Sequence, residues 1–469
     1  MLALAPIRDN ALTIATFLYV VAATSLLVVD PTLTVAAAAA PLILYLMVRK
    51  SWVRVAVIVV GGMLVLGSSS DVGPAKMAYA GAMFLCVVIS TIRLSLNPPT
   101  WIRIAVPLFA WAAILLLCLL MGAIATSGQD LMTVVRQGVF YTMIPLAPIV
   151  GIDAGREIQS KSAIRWIGVI GFVAAAGFAA DWLNRRGVSS LSFGRFVVSS
   201  LILSALGFAL ALVMIIYARR LERVLWTLAA IAIPAALLIT GTRTNLVVFF
   251  ALVGLLGVTA KFGVPMHKAL LLLAFLAAAV AVLLPIFAEY VIKTPGFLES
   301  RLNALMNVAT GSRKDLSLEA RTEQYYHVWN WIQESPWFGK GPGFNPPISL
   351  DTPLATVVRL GVIGTIAMVG FLGSLLWMVY TTGKKYGRSV MHTATRGIAM
   401  VAVVMLPFGS PVEDKGFAFM LVLLIMGVAS CVQARVDGLQ PFPVPARRIT
   451  AQGPMPRESG LAALRAISP

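Results

Sequence analysis

Residues 102–126 read IRIAVPLFAWAAILLLCLLMGAIAT, with Arg103 as the one charge. A helix needs roughly 20 apolar residues to cross the hydrocarbon core of a bilayer, so this stretch reads as a membrane span rather than a buried helix of a soluble core. Working outward from it, further apolar segments fall at 11–29, 32–48, 53–67, 76–92, 135–152, 164–183, 196–217, 224–240, 244–260, 269–290, 354–380, 396–410 and 416–434. The segments that are short or interrupted (53–67, 135–152 with Pro145 and Pro148, and 396–410) set the range at about 12–14 spans. The expected fold is therefore all-α, a polytopic membrane helix bundle. The bulk composition agrees: 469 residues are 59% hydrophobic and 12% charged, against about a quarter charged in globular domains. Cys86, Cys118 and Cys431 lie inside apolar runs without metal or disulfide spacing and read as small core residues.

The net charge of +18 would point to nucleic acid in a soluble chain, but here it is first a topology signal. With an inner N-terminus and alternating spans, 23 of the 37 Lys+Arg and six of the 19 Asp+Glu fall on inner segments, so that face carries +17 of the +18. Both termini are then cytoplasmic and no nucleic-acid partner is expected. The first apolar run is long and reads as an anchor rather than a cleaved signal. By this reading 1–290 holds spans 1–11, 291–353 is an external loop, 354–434 holds spans 12–14, and 435–469 is a basic, disordered tail able to lie on anionic lipid.

The loop 291–353 is the one long polar insertion, and function is placed there. Leu298, Leu302 and Leu305 recur as in a short surface helix that Gly311-Ser312 ends. A second helix is expected from about Asp315, an N-cap, to Glu334, stopped by Ser335-Pro336. Its apolar face would gather Leu318, Tyr325, Val328 and Ile332 together with Arg321, while Glu323 and His327 point the other way. Arg321 either snorkels past packed neighbours or binds phosphate. The following Trp337-Phe338-Gly339-Lys340-Gly341-Pro342-Gly343-Phe344 lacks the GxxxxGK[ST] pattern and reads as a tight turn.

Arginines are disfavoured on the outer face, so those placed there are informative. Arg185 and Arg186 are explained by headgroup contact. Arg195, Arg243 and Arg321 sit near span ends on one side and point to a converging anion site. Arg359 lies inside its span and must face protein, with Asp351 or Glu323 as partner.

These segments resemble the O-antigen ligase and O-antigen polymerase superfamily. The likeness is carried by Phe193-Gly194-Arg195-Phe196, by Thr240-Gly241-Thr242-Arg243, and by Arg321 through Trp331 into Ser335-Pro336-Trp337-Phe338-Gly339-Lys340-Gly341-Pro342-Gly343. Leu360-Gly361-Val362-Ile363-Gly364 resembles the family's Leu-Gly-x-x-Gly helix start. The likeness covers roughly residues 190–380, and the N-terminal half matches in hydropathy only. One departure stands out: family ligases carry a histidine at the end of the loop, where this chain reads Ser349-Leu350-Asp351-Thr352-Pro353-Leu354. His327 comes too early to replace it, and His267 and His392 are expected on the inner face.

The resemblance implies a GT-C-like enzyme of the bacterial inner membrane with a periplasmic active face. It would polymerise undecaprenyl-diphosphate-linked oligosaccharide repeat units, and because the external loops show no Asp-x-Asp for Mg²⁺, no metal or other cofactor is expected. Diphosphate would be held by Arg195, Arg243, Arg321 and Arg359, with Asp351 preferred over Glu323 as base; pairing with an arginine is the alternative role of either carboxylate. Membrane lipids, a flippase and a chain-length regulator are the implied partners. The alternatives are a ligase transferring the glycan to lipid A-core and a lipid-linked glycan transporter. The latter would show repeat halves, broken helices and mid-membrane charge, none of which is evident in the sequence. A membrane glycosyltransferase using Asp30 is a further reading, set in a poor catalytic loop.

Overall fold

A computed structural model describes residues 41–66, 74–125, 131–185, 200–218, 220–239, 316–344, 354–405 and 411–439, with the isolated positions 274 and 278. The expected spans 11–29, 244–260 and 269–290, the short helix around Leu298–Leu305 and the tail beyond 439 lie outside these residues.

Helices account for the regular structure there: α1 (41–49), α2 (Ser51–Val65), α3 (Pro74–Leu96), α4 (Val106–Ala125), α5 (Leu131–Glu157) and α6 (Ser160–Arg185). They continue as α7 (Leu201–Tyr217), α8 (Arg220–Ile239), α9 (Leu316–Glu334), α10 (Ala355–Lys385), α11 (Val390–Met405) and α12 (Phe417–Val436). Among the described residues, six helices are long and apolar enough to cross a membrane: α3, α4, α5, α6, α10 and α12, and α2, α7 and α11 are shorter apolar helices. This is the expected all-helical, polytopic bundle. In lipid the backbone must satisfy its own polar groups, which is why apolar length alone marks these helices.

At the centre stands α12, where every residue from Phe417 to Val432 is buried. Its most extensive neighbour is α5, admitted at close range by Gly151-x-x-x-Gly155. A Cβ on Gly151 would stand 2.8 Å from the Ile425 Cβ, and one on Gly155 2.5 Å from the Ala429 Cβ. Small residues four apart let helix backbones approach where lipid offers no hydrophobic drive to associate. By the same device α6 crosses α7 where Gly171 faces Gly207. The helix α7 is enclosed by α6, α8 and α11, and α4 runs along α10. Cys86 and Cys431 are buried in this core.

Among the described residues, charged side chains of α2, α3 and α5 come together. Arg54, fully buried, donates to Asp153 Oδ2 at 2.5 Å, to Ser90 Oγ at 3.1 Å and to the Met47 carbonyl. Arg93 joins Asp153 and Glu157, and Arg165 pairs with Glu222 at 2.9 Å. Asp153 and Glu157, expected between spans, belong instead to α5, and Arg54 lies in α2. Mutual neutralisation lets these helices carry charge below the surface.

Two other boundaries move. The span expected at 396–410 begins earlier, as α11, and takes in His392, which is buried between Thr382 Oγ1 (3.0 Å) and Ser389 Oγ (2.7 Å). Those two hydroxyls satisfy both ring nitrogens, so the histidine packs inside the bundle. The helix α10 is broken at Gly361 (φ 67°, ψ −176°), a feature the apolar sequence concealed.

Candidate functional site

The break at Gly361 organises the opposite end of the bundle. Interrupting a helix there frees the carbonyls of Val358 and Arg359 and the amides of Val362 and Ile363, which must find partners. The Pro336–Phe344 turn supplies all of them: Lys340 N–H donates to Val358 O (2.6 Å), Gly341 N–H to Arg359 O (3.0 Å), Val362 N–H to Pro336 O (2.8 Å) and Ile363 N–H to Trp337 O (3.3 Å). Gly339 (φ 70°) and Gly341 (φ 82°) shape the turn. A Cβ on Gly339 would stand 2.5 Å from Arg359 O. The expected tight turn is therefore also the patch that repairs a broken span.

The turn is delivered by α9, which starts at Leu316 and stops at Glu334 before Ser335-Pro336, close to the expected bounds. Its packed face is Val328, fully buried, with Trp331 and Ile332 against Ala355, Val358 and Phe344. Gln324 lies one turn before Val328 on this stripe, at i, i+4, i+7 and i+8. Tyr325, expected on the buried face, is instead 39% exposed, because the stripe is centred on Val328. His327 is exposed as expected, its ring stacked at 6.1 Å on Trp331, which meets Phe344 edge-on at 5.2 Å.

Arg359 projects from the short first segment of α10 and is buried, as its place in the span required. Its Nε contacts both oxygens of Glu413 (3.0 and 3.1 Å), its Nη1 donates to Phe344 O (2.6 Å), and its guanidinium lies 5.7 Å from the Tyr141 ring centroid. Tyr141 donates its hydroxyl to Glu413 Oε1. The carboxylate partner is Glu413 on the 3-10 turn Pro411–Glu413, where the sequence reading named Asp351 or Glu323.

The next residue extends the network. Asp414 accepts from the amides of Leu201 (2.8 Å) and Ile202 (3.2 Å) through Oδ2 and from Gly416 (2.8 Å) through Oδ1. It therefore caps the N-terminus of α7 from a distant segment, beside the helix's own cap Ser200. Burial pushes its carboxyl above the usual aspartate range, outweighing these hydrogen bonds, which pull the other way. Two consecutive acids thus join three helices: Glu413 ties α10 to α5, while Asp414 holds α7.

Of the sequence candidates, Arg321 lies in α9, two helical turns and about 10 Å along the axis before Val328. Glu323 is in the same helix. Arg195, Arg243 and Asp351 lie outside the described residues. Among the described residues no group of three or more His, Cys, Asp and Glu is placed to hold a metal. Glu413, Tyr141 and Asp414 were not singled out from sequence. The signal available was the acidic pair Glu413-Asp414 in the short segment between the last two apolar runs.

No curated protein matches the chain. Residues 228–358 match the family described as O-antigen ligase, a region that runs from α8 through α9 and the turn to the residue before Arg359, and it is to this O-antigen ligase and polymerase-like family that the chain is similar.

Proposed function

We propose that this protein polymerises undecaprenyl-diphosphate-linked oligosaccharide repeat units at the outer face of the bacterial inner membrane. The observation that carries the reading is the family match over 228–358, which contains Arg243, Arg321 and the Pro336–Phe344 turn. In the reaction a hydroxyl of the acceptor glycan attacks the anomeric carbon of the donor. A new C–O bond forms, the bond to the diphosphate oxygen breaks, undecaprenyl diphosphate leaves, and the hydroxyl proton passes to a base. Asp351 is the preferred base and Glu323 the alternative. Guanidinium forks of Arg195, Arg243 and Arg321 stabilise the leaving diphosphate. Arg359 is a positioning residue: neutralised by Glu413, it holds the Phe344 carbonyl and so the end of the turn.

Polymerisation is preferred to ligation onto lipid A-core because Ser349–Leu354 lacks the ligase histidine. Arg321→Ala is expected to abolish polymer in cells at unchanged protein level, and wild-type polymer in that variant would overturn the scheme. A lipid-linked glycan transporter is the second reading, favoured by the helix break at Gly361. Purified protein in detergent that lengthens a lipid-linked repeat unit decides for the enzyme, since a transporter makes no bond.

A further inference from the structure

At the basic end, remote from the turn and from Glu413, a cavity of about 580 Å³ opens between the α1–α2 junction and the α5–α6 junction. That volume lies within the range of about 300–1,000 Å³ typical of small-molecule sites. Arg49 and Lys50 line it from one side, Ser162 and Gln159 from the other, with Trp52 and Trp166 beside them.

The charge inside is unbalanced. Glu157 is the carboxylate in the lining, and it is already engaged by Arg93 and by the Ser51 amide at 3.2 Å. Among the described residues neither Arg49 nor Lys50 pairs with a carboxylate; Arg49 rests over the Tyr45 ring at 5.8 Å. Two exposed cations therefore face a polar hollow whose acid is spoken for, an arrangement that selects an anion.

The surroundings select which anion. Trp52 and Trp166 are half exposed (49% and 52%), as indoles at a membrane interface are. From Trp166 an exposed stripe of Val169, Phe172 and Val173 runs down α6, and exposed Leu44 and Val48 run along α1. Apolar surface continuous with a cationic hollow fits a molecule with an anionic head and hydrocarbon tails.

We infer that this cavity binds the phosphate headgroup of an anionic phospholipid, with Arg49 and Lys50 on the phosphate and the acyl chains along α1 and α6. The assay is native mass spectrometry of the detergent-solubilised full chain, titrated with phosphatidylglycerol or with phosphatidylcholine of the same acyl chains. Each surface cation contributes about fivefold in affinity for anionic lipid, so Arg49→Ala and Lys50→Ala should each weaken phosphatidylglycerol about fivefold and leave phosphatidylcholine unchanged. Lys50→Glu, at the same exposed position, should weaken it more. Lys384→Ala with Lys385→Ala, exposed at the same end but outside the cavity, should change nothing. Equal losses in that control would reduce the effect to diffuse surface charge and overturn the site, as would retained affinity in the cavity variants. Displacement of the bound lipid by millimolar inorganic phosphate would reassign the cavity to a soluble phosphate ligand and overturn the lipid assignment. Because the site lies away from the proposed chemistry, glycan polymerisation by Arg49→Ala in detergent should match wild type.

Discussion

Placing a single methyl group on Gly361 tests whether the turn and the broken span are one unit. The residue sits at φ 67°, ψ −176°, a region only glycine occupies without strain, and the conformation alone would cost an alanine about 1–3 kcal/mol. Its Cβ would stand 2.2 Å from Trp337 O and 2.5 Å from Gly339 N. Both are backbone atoms, so no rotamer relieves the clash and the turn must withdraw. Withdrawal loosens the four hydrogen bonds between the turn and α10, each worth about 0.5–1.5 kcal/mol net. The low ends of both contributions already add to about 3 kcal/mol. Gly373 in the same helix is the matched control: nothing lies within 4 Å of its Cβ position, so Gly373→Ala should be neutral or stabilise by up to about 1 kcal/mol. Thermal unfolding of the two variants in one detergent, followed by tryptophan fluorescence, should separate them, with Gly361→Ala melting well below wild type and losing polymer formation. Equal melting temperatures for Gly361→Ala, Gly373→Ala and wild type would refute the argument.

Other outcomes follow from neighbouring contacts. Asp153→Ala leaves Arg54 buried without its counter-charge and should destabilise by about 3–5 kcal/mol, read as loss of folded protein in detergent. Tyr141→Phe removes a hydroxyl donated to the Glu413 carboxylate and should cost about 1.5–3 kcal/mol in stability at full packing volume, and Glu413→Gln, which also leaves buried Arg359 without its counter-charge, should lower the melting temperature further. Asp414 has a folded-state pKa raised above the ordinary 3.8, so between 3.8 and that raised value the folded chain holds the extra proton. Stability from this group therefore rises as pH falls into that window and declines as pH rises through it. The melting temperature of wild type should rise relative to that of Asp414→Asn as pH falls through that range, and parallel curves would contradict the assignment.

The parts of the fold legible in the sequence were those decided locally. Apolar length marks a span because lipid leaves the backbone no other partner, and Ser335-Pro336 ends α9 because proline cannot continue it. The parts that stayed hidden depend on partners far along the chain. Leu360-Gly361-Val362-Ile363-Gly364 is a plausible helical segment until a turn from before the span arrives to take its freed amides and carbonyls. Arg359 could be placed facing protein from its depth alone, but choosing Glu413 over Asp351 or Glu323 required the folded arrangement. Tyr325 was assigned to the packed face because an apolar count weighs all aromatics alike, whereas a stripe centred on Val328 leaves that position at its margin.

The pairing of Arg359 with Glu413 also has a history in time. The two are separated by 54 residues, and ribosomes add about 5–20 residues per second, so Arg359 emerges about 3–11 s before the carboxylate that neutralises it. A lone arginine at mid-helix costs about 2.5–3.5 kcal/mol on insertion, and one near the span end less. That cost stands against full insertion of α10 until Glu413 arrives to offset it. Arg54 waits longer still for Asp153, 99 residues on. Each ion pair thus works as a latch in the order of assembly, and a chain halted at residue 405 would leave Arg359 of α10 without the carboxylate that neutralises it.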